Sequence, residues 1–346
     1  MEEIEIIKPD DWHVHFRDGE VLNTVVPETT RHFARAIIMP NLVPPILKGV
    51  DAVKYKKKIQ RAIPKSDRFL PLMTIYLTEN TNKNDIRIAY ESGQVFAAKL
   101  YPAGATTNSD SGVKDINKIM PVLETMSEIG MPLLIHGEVT DKEIDIFDRE
   151  KVFVDQKLDF ICKELPELKI TLEHITTKEA TAYVNEGNKN LVASITPHHL
   201  ALSRNAMFVG GIRPHNYCLP ILKREIHRKA LVEVAVSGNS KFFLGTDTAP
   251  HLTSDKESFC GCAGIFNSTY CVSILAQLFE NESALHKLEN FISKNGAKHY
   301  NLKINKEKIL ITKSNHSLLF KKELDVKKQK IRIFEPDFPV FWTVSG

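Results

Sequence analysis

The chain lacks the marks of several large protein classes. Its five cysteines, Cys162, Cys218, Cys260, Cys262 and Cys271, are odd in number and follow no regular framework. That argues against disulfide stapling and for a reducing compartment. Cys260 and Cys262 form C-G-C, but a structural zinc site uses paired C-x₂-C units and no second pair exists, so no zinc is expected there. No apolar run approaches the ~18 residues that span a bilayer. The N-terminus MEEIEIIKPD is acidic and has neither the basic nor the apolar segment of a secretory signal. A soluble, cytoplasmic protein with no membrane association is expected. Excess charge is also missing: the formal net charge is +3 over 346 residues. The lysines are scattered through helical stretches such as 54–58, so no nucleic-acid surface is expected. There is no internal repeat and no low-complexity tract.

What the chain has is a series of short apolar runs. EIEIIKP leading to DWHVH, ARAIIMP, FLPLMTIYL, VFAAKLYP, MPLLIHGE, LKITLEHI, NLVASITP and KFFLGTD are each bounded by Pro, Gly, Asn or Asp, as buried strands are. Between them lie amphipathic stretches suited to helices, at 49–63, 113–129, 147–165, 176–186 and 220–237. Thr176 or Thr177 can cap its helix, with Glu179 near the capping-box position. Eight strands alternating with helices predict an α/β fold, a (β/α)₈ TIM barrel. A doubly wound open sheet is the alternative, but no G-x-G-x-x-G follows the first strand. We expect a single domain, 1–346, with its core at about 8–303. A C-terminal extension at about 304–346 should pack back on the barrel as short elements.

In a strand, side chains alternate between faces. His13 and His15 should therefore point one way, and Trp12, Val14 and Phe16 the other. A lone buried histidine is usually a satisfied core residue, but two on one strand face suit a divalent metal. Other strands end in Lys99, His136, His174 and Asp247, and in a barrel those C-terminal ends converge on one mouth. Ionisable groups on five strands at the same end would each carry a desolvation penalty without a function. A buried lysine near cations loses its proton readily; as a neutral amine it can add carbon dioxide, and the resulting carbamate could bridge two metals. The alternative is a lysine paired with a buried Asp or Glu.

This combination resembles the amidohydrolase superfamily. The phrases DWHVHFRDG, MPN, AAKLYPAGATTNS, MPLLIHGEV, IDIFDRE, LEHITT, VGGIRPH, YCLPILKR, GTDTAPH and CGCAG resemble the shorter bacterial class of dihydroorotases over about residues 8–300. The resemblance implies reversible zinc-dependent hydrolysis of dihydroorotate, or cyclisation of N-carbamoyl-L-aspartate, in de novo pyrimidine (UMP) synthesis. It implies two zinc ions bridged by carboxylated Lys99 and a hydroxide. His13, His15, Lys99 and Asp247 would hold one ion, and Lys99, His136 and His174 the other. Asp247 would shuttle the proton; the alternative is a purely structural ligand. Arg17, Asn41 and His251 would hold the substrate carboxylate. Thr106 and Thr107 would reach the bound substrate from a lid at 103–112, which Gly104 should keep mobile. Backbone groups near Leu219 and Ala263 would bind the ring amide. A homodimer is implied as well. His198, His199 and His215 receive no role, and surface or supporting positions are expected for the first two.

Two other functions compete. Hydantoinases and allantoinases share the metal cluster, but the Arg17, Asn41 and His251 set anticipates an α-carboxylate that hydantoins lack. A catalytically dead barrel acting as a scaffold would be expected to lose metal ligands, and every expected ligand is present.

Overall fold

The computed structural model describes residues 2–259 and 261–345; Cys260, one of the two cysteines of C-G-C, lies outside the described residues. After an N-terminal strand β1 (Glu3–Ile7), eight strands form one parallel sheet in chain order. They are β2 (Asp10–Val14), β3 (Arg35–Ile38), β4 (Leu70–Tyr76), β5 (Ala97–Leu100), β6 (Leu133–His136), β7 (Ile170–Glu173), β8 (Leu191–Ile195) and β9 (Phe242–Leu244). Nearly every residue in them is buried, as expected of parallel strands covered on both faces. The sheet closes on itself. Val14 bridges Thr248 in parallel, Asp247 N donates to His13 O at 2.9 Å, and His15 N donates to Thr248 O at 3.0 Å. The predicted barrel is present.

Helices cover its outside, among them Gly19–Thr30, Gly49–Ala62, Lys83–Glu91, Met120–Ile129, Lys178–Glu186 and Glu225–Val236. Their starts follow from local chemistry. Asn82 accepts from Asn84 N and Asp85 N, and Thr177 accepts from Ala180 N, each filling an orphan donor of the first turn. Thr177 is thus the cap, which puts Ala180 rather than Glu179 at the capping-box position; Glu179 instead lies 3.5 Å from His227. The helix expected at 113–129 begins as a 3₁₀ turn at Ile116–Ile119 and turns α at Met120, where Pro121 sits in the first turn. The one expected at 220–237 begins only at Glu225.

EIEII does not lead into the first barrel strand. Pro9 cannot donate to a ladder, and β1 pairs antiparallel with β10 (Lys308–Lys313), which also pairs with β13 (Trp342–Ser345). A hairpin of β11 (Glu323–Val326) and β12 (Gln329–Arg332) meets the barrel loops through Leu252–Ile331 and Phe266–Ile333 bridges. Among the described residues no helix is long and apolar enough to cross a membrane.

The alternation expected of Trp12, Val14 and Phe16 fails at Trp12. The β2–β3 register shifts between Asp11 and Val14, so Val14 and Phe16 join the core under the helices while Trp12 turns into the barrel floor. There it packs with Ile37, Leu72, Ala97, Leu134, Val192 and Phe243, and against the tilted ring of Tyr300 at 4.8 Å between ring centroids. Gly296 lies so close that a Cβ there would overlap the indole ring. Gly296→Ala should therefore destabilise the fold by about 1–3 kcal/mol, the usual penalty of overpacking a core. Denaturant unfolding of the two proteins measures it.

Candidate active site

The C-terminal strand ends surround a small cavity. His13, His15, Arg17, Asn41, Thr106, Thr107, His136, His174, Leu219, Asp247 and Ala263 line it, joined by Tyr101, Ala249 and Gly264. Lys99 lies fully buried at the end of β5. His251 stands behind Arg17, with its Nε2 2.9 Å from Arg17 Nη2. The residues expected to hold metal or substrate thus lie in or against this cavity. A wider groove opens outside, lined by 205–206, 212–216 and Arg332 among others, but none of the strand-end histidines faces it.

The deepest part is a cluster of nitrogen and oxygen donors. His13 Nε2 and His15 Nε2 are 3.1 Å apart, and Asp247 Oδ1 lies 3.2 and 3.1 Å from them. Those spacings approach the ~3.3 Å between neighbouring ligands on a tetrahedral zinc with ~2 Å bonds. The His174 ring stands 5.0 Å from that of His13 and 4.8 Å from that of His136. His174 and Asp247 hold left-handed backbone angles, φ +44 and +45, as does Arg17 at +59. Non-glycine residues are strained there, and such strain gathers at functional sites.

Two carboxylates that the sequence reading passed over support the cluster. Glu173, the last residue of β7, contacts Lys99 Nζ and stands 3.0 Å from His13 Nδ1. The second contact is out of line for a hydrogen bond and acts through charge. Lys99 therefore has the paired form that was the alternative for it. Glu138 Oε2 lies 2.7 Å from His136 Nε2, which leaves His136 Nδ1 for the cavity. The signal for both was adjacency: each sits within two residues of a strand-end histidine.

Electrostatics match the geometry. Burial holds His15 down to about 4 and His174 well below the usual imidazole range, so both are neutral rings, the form a metal needs. For His13 burial also opposes charge, but Glu173 and Asp247 outweigh it and raise it to about 9. For Asp247 burial pushes upward, yet His13 and His15 hold it well below the carboxylate range. Two buried carboxylates draw positive charge into the cluster, as a site for a divalent cation does.

Above it, Arg17 Nε donates to Pro250 O at 3.1 Å. His251 Nε2 faces both the Arg17 guanidinium and, at 3.0 Å, Ala263 O. One nitrogen cannot accept from the first and donate to the second together. Residues 103–112 lie across the opening. Asn41 Nδ2 donates to Thr107 O at 2.9 Å, and Thr107 Oγ1 donates to Ala263 O at 3.3 Å.

The Amidohydrolase family model matches residues 6–314. The chain is 53% identical to a dihydroorotase of Rhizobium meliloti, covering 100% of this chain and 99% of the relative. It is 54% identical to one of a Ruegeria species, covering 98% of each. The chain belongs to the amidohydrolase family, among its dihydroorotases. A crystal structure of dihydroorotase from Campylobacter jejuni superposes with a TM-score of 0.89 at 35% identity, over 99% of this chain and 98% of that one. Dihydroorotase from Saccharomyces cerevisiae, solved with 5-fluoroorotic acid, gives 0.90 at 32% identity, over 100% and 99%. An L-hydantoinase from Arthrobacter aurescens gives 0.79 at 14% identity, over 98% of this chain and 82% of that one; it shares the fold.

The family's enzymes are metal-dependent, and the donors here fit that chemistry. A second group, His198, His199 and Cys218, also lies within 4.8 Å; its donors are engaged otherwise, except His198 Nε2, which is buried without a partner. His199 Nδ1 meets Thr196 Oγ1 at 2.8 Å and its Nε2 donates to Pro220 O at 2.9 Å. His198 takes a bond from Asn267 Nδ2 at 3.1 Å. Both rings are buried rather than at the surface. His215 pairs with Glu257 at 2.9 Å.

Glu138→Gln should weaken metal binding about 10- to 100-fold, the usual effect of removing a carboxylate that orients a metal-binding imidazole. Competition with a chelator, read by metal analysis, gives the number.

Proposed function

We propose that this chain is a two-zinc dihydroorotase that interconverts dihydroorotate and N-carbamoyl-L-aspartate in pyrimidine synthesis. One observation carries the reading. A buried cluster of histidines and carboxylates shares one cavity with the Arg17–His251 pair, in a chain alike to dihydroorotases over its whole length. His13, His15, Lys99 and Asp247 would hold one zinc, and Lys99, His136 and His174 the other, with Lys99 as its carbamate. Two zinc ions held there would supply Lewis acidity and a water activated near neutral pH. Carboxylation would end the ammonium contact between Lys99 and Glu173.

The chain's own groups do the rest. Arg17 offers a planar fork to the substrate carboxylate, and Asn41 Nδ2 supplies a further donor. A carboxylate on Arg17 would free His251 Nε2 to keep a single partner. Asp247, ionised, would take the proton as water adds to the ring amide and pass it to the departing ring nitrogen. Run backwards, the same proton path closes the ring and releases water. Thr106 and Thr107 would exclude bulk water and strengthen the polar contacts beneath them. Backbone groups at Leu219 and Ala263 would hold the amide. We read the whole chain, 1–346, as one barrel domain with an extension from about 304, active in the cytoplasm as a homodimer.

A hydantoinase or allantoinase would use the same cluster, but neither gives Arg17 a carboxylate to bind. The deciding experiment follows dihydroorotate hydrolysis in the ultraviolet with metal content measured on the same sample. Turnover with two zinc per chain, abolished in Lys99→Ala, is expected. Bound metal with turnover of hydantoins instead would move the substrate assignment; neither metal nor turnover, after supply of zinc and bicarbonate, would sink the enzyme. Arg17→Ala should lower kcat/KM by roughly 100-fold, in the range for truncating one partner of a buried charge pair.

A further inference from the structure

Lys256 has no part in that chemistry, yet it is only 3% exposed. Among the described residues no carboxylate pairs with it. Its Nζ instead donates to three carbonyls, Tyr217 O at 2.8 Å, Cys262 O at 2.7 Å and Gly264 O at 2.8 Å. Burial pulls its ammonium down to about 8, which leaves it charged at neutral pH. A buried charge bound by backbone oxygens and the Tyr217 ring, 5.8 Å away, with no counter-charge is a costly way to fill space, and the identity of the three oxygens suggests what it does.

Two of them flank Ala263 in sequence. With the carbonyls on either side turned to the ammonium, the Ala263 carbonyl faces the opposite way, toward His251 Nε2 and Thr107 Oγ1. The third oxygen lies two residues before Leu219, and Tyr217 O also accepts from Gly264 N at 3.0 Å. Lys256 thus staples together the two backbone segments that carry Leu219 and Ala263. Gly264 is held so tightly that a Cβ would come 2.6 Å from Ala249 O and 2.8 Å from His251 Cδ2.

We propose that Lys256 is a positioning residue: it fixes the peptide planes of the Leu219 and Ala263 segments so that their backbone groups meet the ring amide. This rests on the dihydroorotase reading above. Lys256 touches neither the metal ligands nor the reacting atoms, so its loss should act on substrate binding.

The test uses the zinc-loaded full chain. Lys256→Met removes the donors at nearly constant volume, and Lys256→Gln keeps an amide donor. Expected for Met is a KM for dihydroorotate raised about tenfold or more with kcat within about threefold, and a smaller rise for Gln. Zinc content should stay at the wild-type value. Should the Met variant fail to fold, the Gln variant decides. A melting temperature lowered with KM unchanged would reduce Lys256 to a structural staple and overturn the proposal, as would a fall in kcat alone. Wild-type protein unable to turn over dihydroorotate would overturn the functional reading and this inference with it.

Discussion

Two backbone hydrogen bonds close the sheet between its first and last strands, from Asp247 N to His13 O and from His15 N to Thr248 O. Everything at the barrel mouth depends on them. They bring together residues more than 230 positions apart in sequence, and they set Asp247 Oδ1 within hydrogen-bond range of two imidazole nitrogens. Asp11 reinforces the seam. Its carboxylate accepts from Thr246 N and Oγ1 at 2.9 and 2.6 Å and from His13 N at 3.1 Å. The bonds that close the barrel are therefore also the ones that aim its donors.

Beneath the seam, Trp12, Phe243 and Tyr300 plug the floor. Above it, chemistry is concentrated in a low-dielectric space where charges attract strongly and lone polar groups are penalised. The cluster answers that penalty with carboxylates. Glu173 faces His13 and Lys99, and Glu138 faces His136. Glu150 is a further case: buried behind the loop after His174, it accepts from the backbone nitrogens and hydroxyls of Thr176 and Thr177. That fixes the turn in which His174 holds its left-handed backbone. Rigid support around donors is what lets a site hold a metal at a set spacing.

The cavity wall away from the histidines is made differently. It is mostly backbone and small side chains, Leu219, Ala249, Ala263 and Gly264, held by Lys256 on one side and touched by the 103–112 loop on the other. Backbone donors and acceptors arranged this way are rigid, but they leave little trace in a sequence.

The sequence by itself determined the strand and helix order, the barrel and the strand-end ionisable residues, because burial on both faces forces apolar runs and a barrel puts their C-terminal ends at one mouth. The phrases around those residues carried the family. Tertiary structure decided what depends on packing between distant segments. It turned Trp12 into the floor through a register shift that strand alternation does not foresee, and it sent β1 to the tail's sheet. It gave the strand-end histidines their carboxylates, and it set Lys256 among three carbonyls. Side-chain periodicity is a local property and is written in the chain; which backbone oxygen a buried charge meets is set only when the sheet has closed.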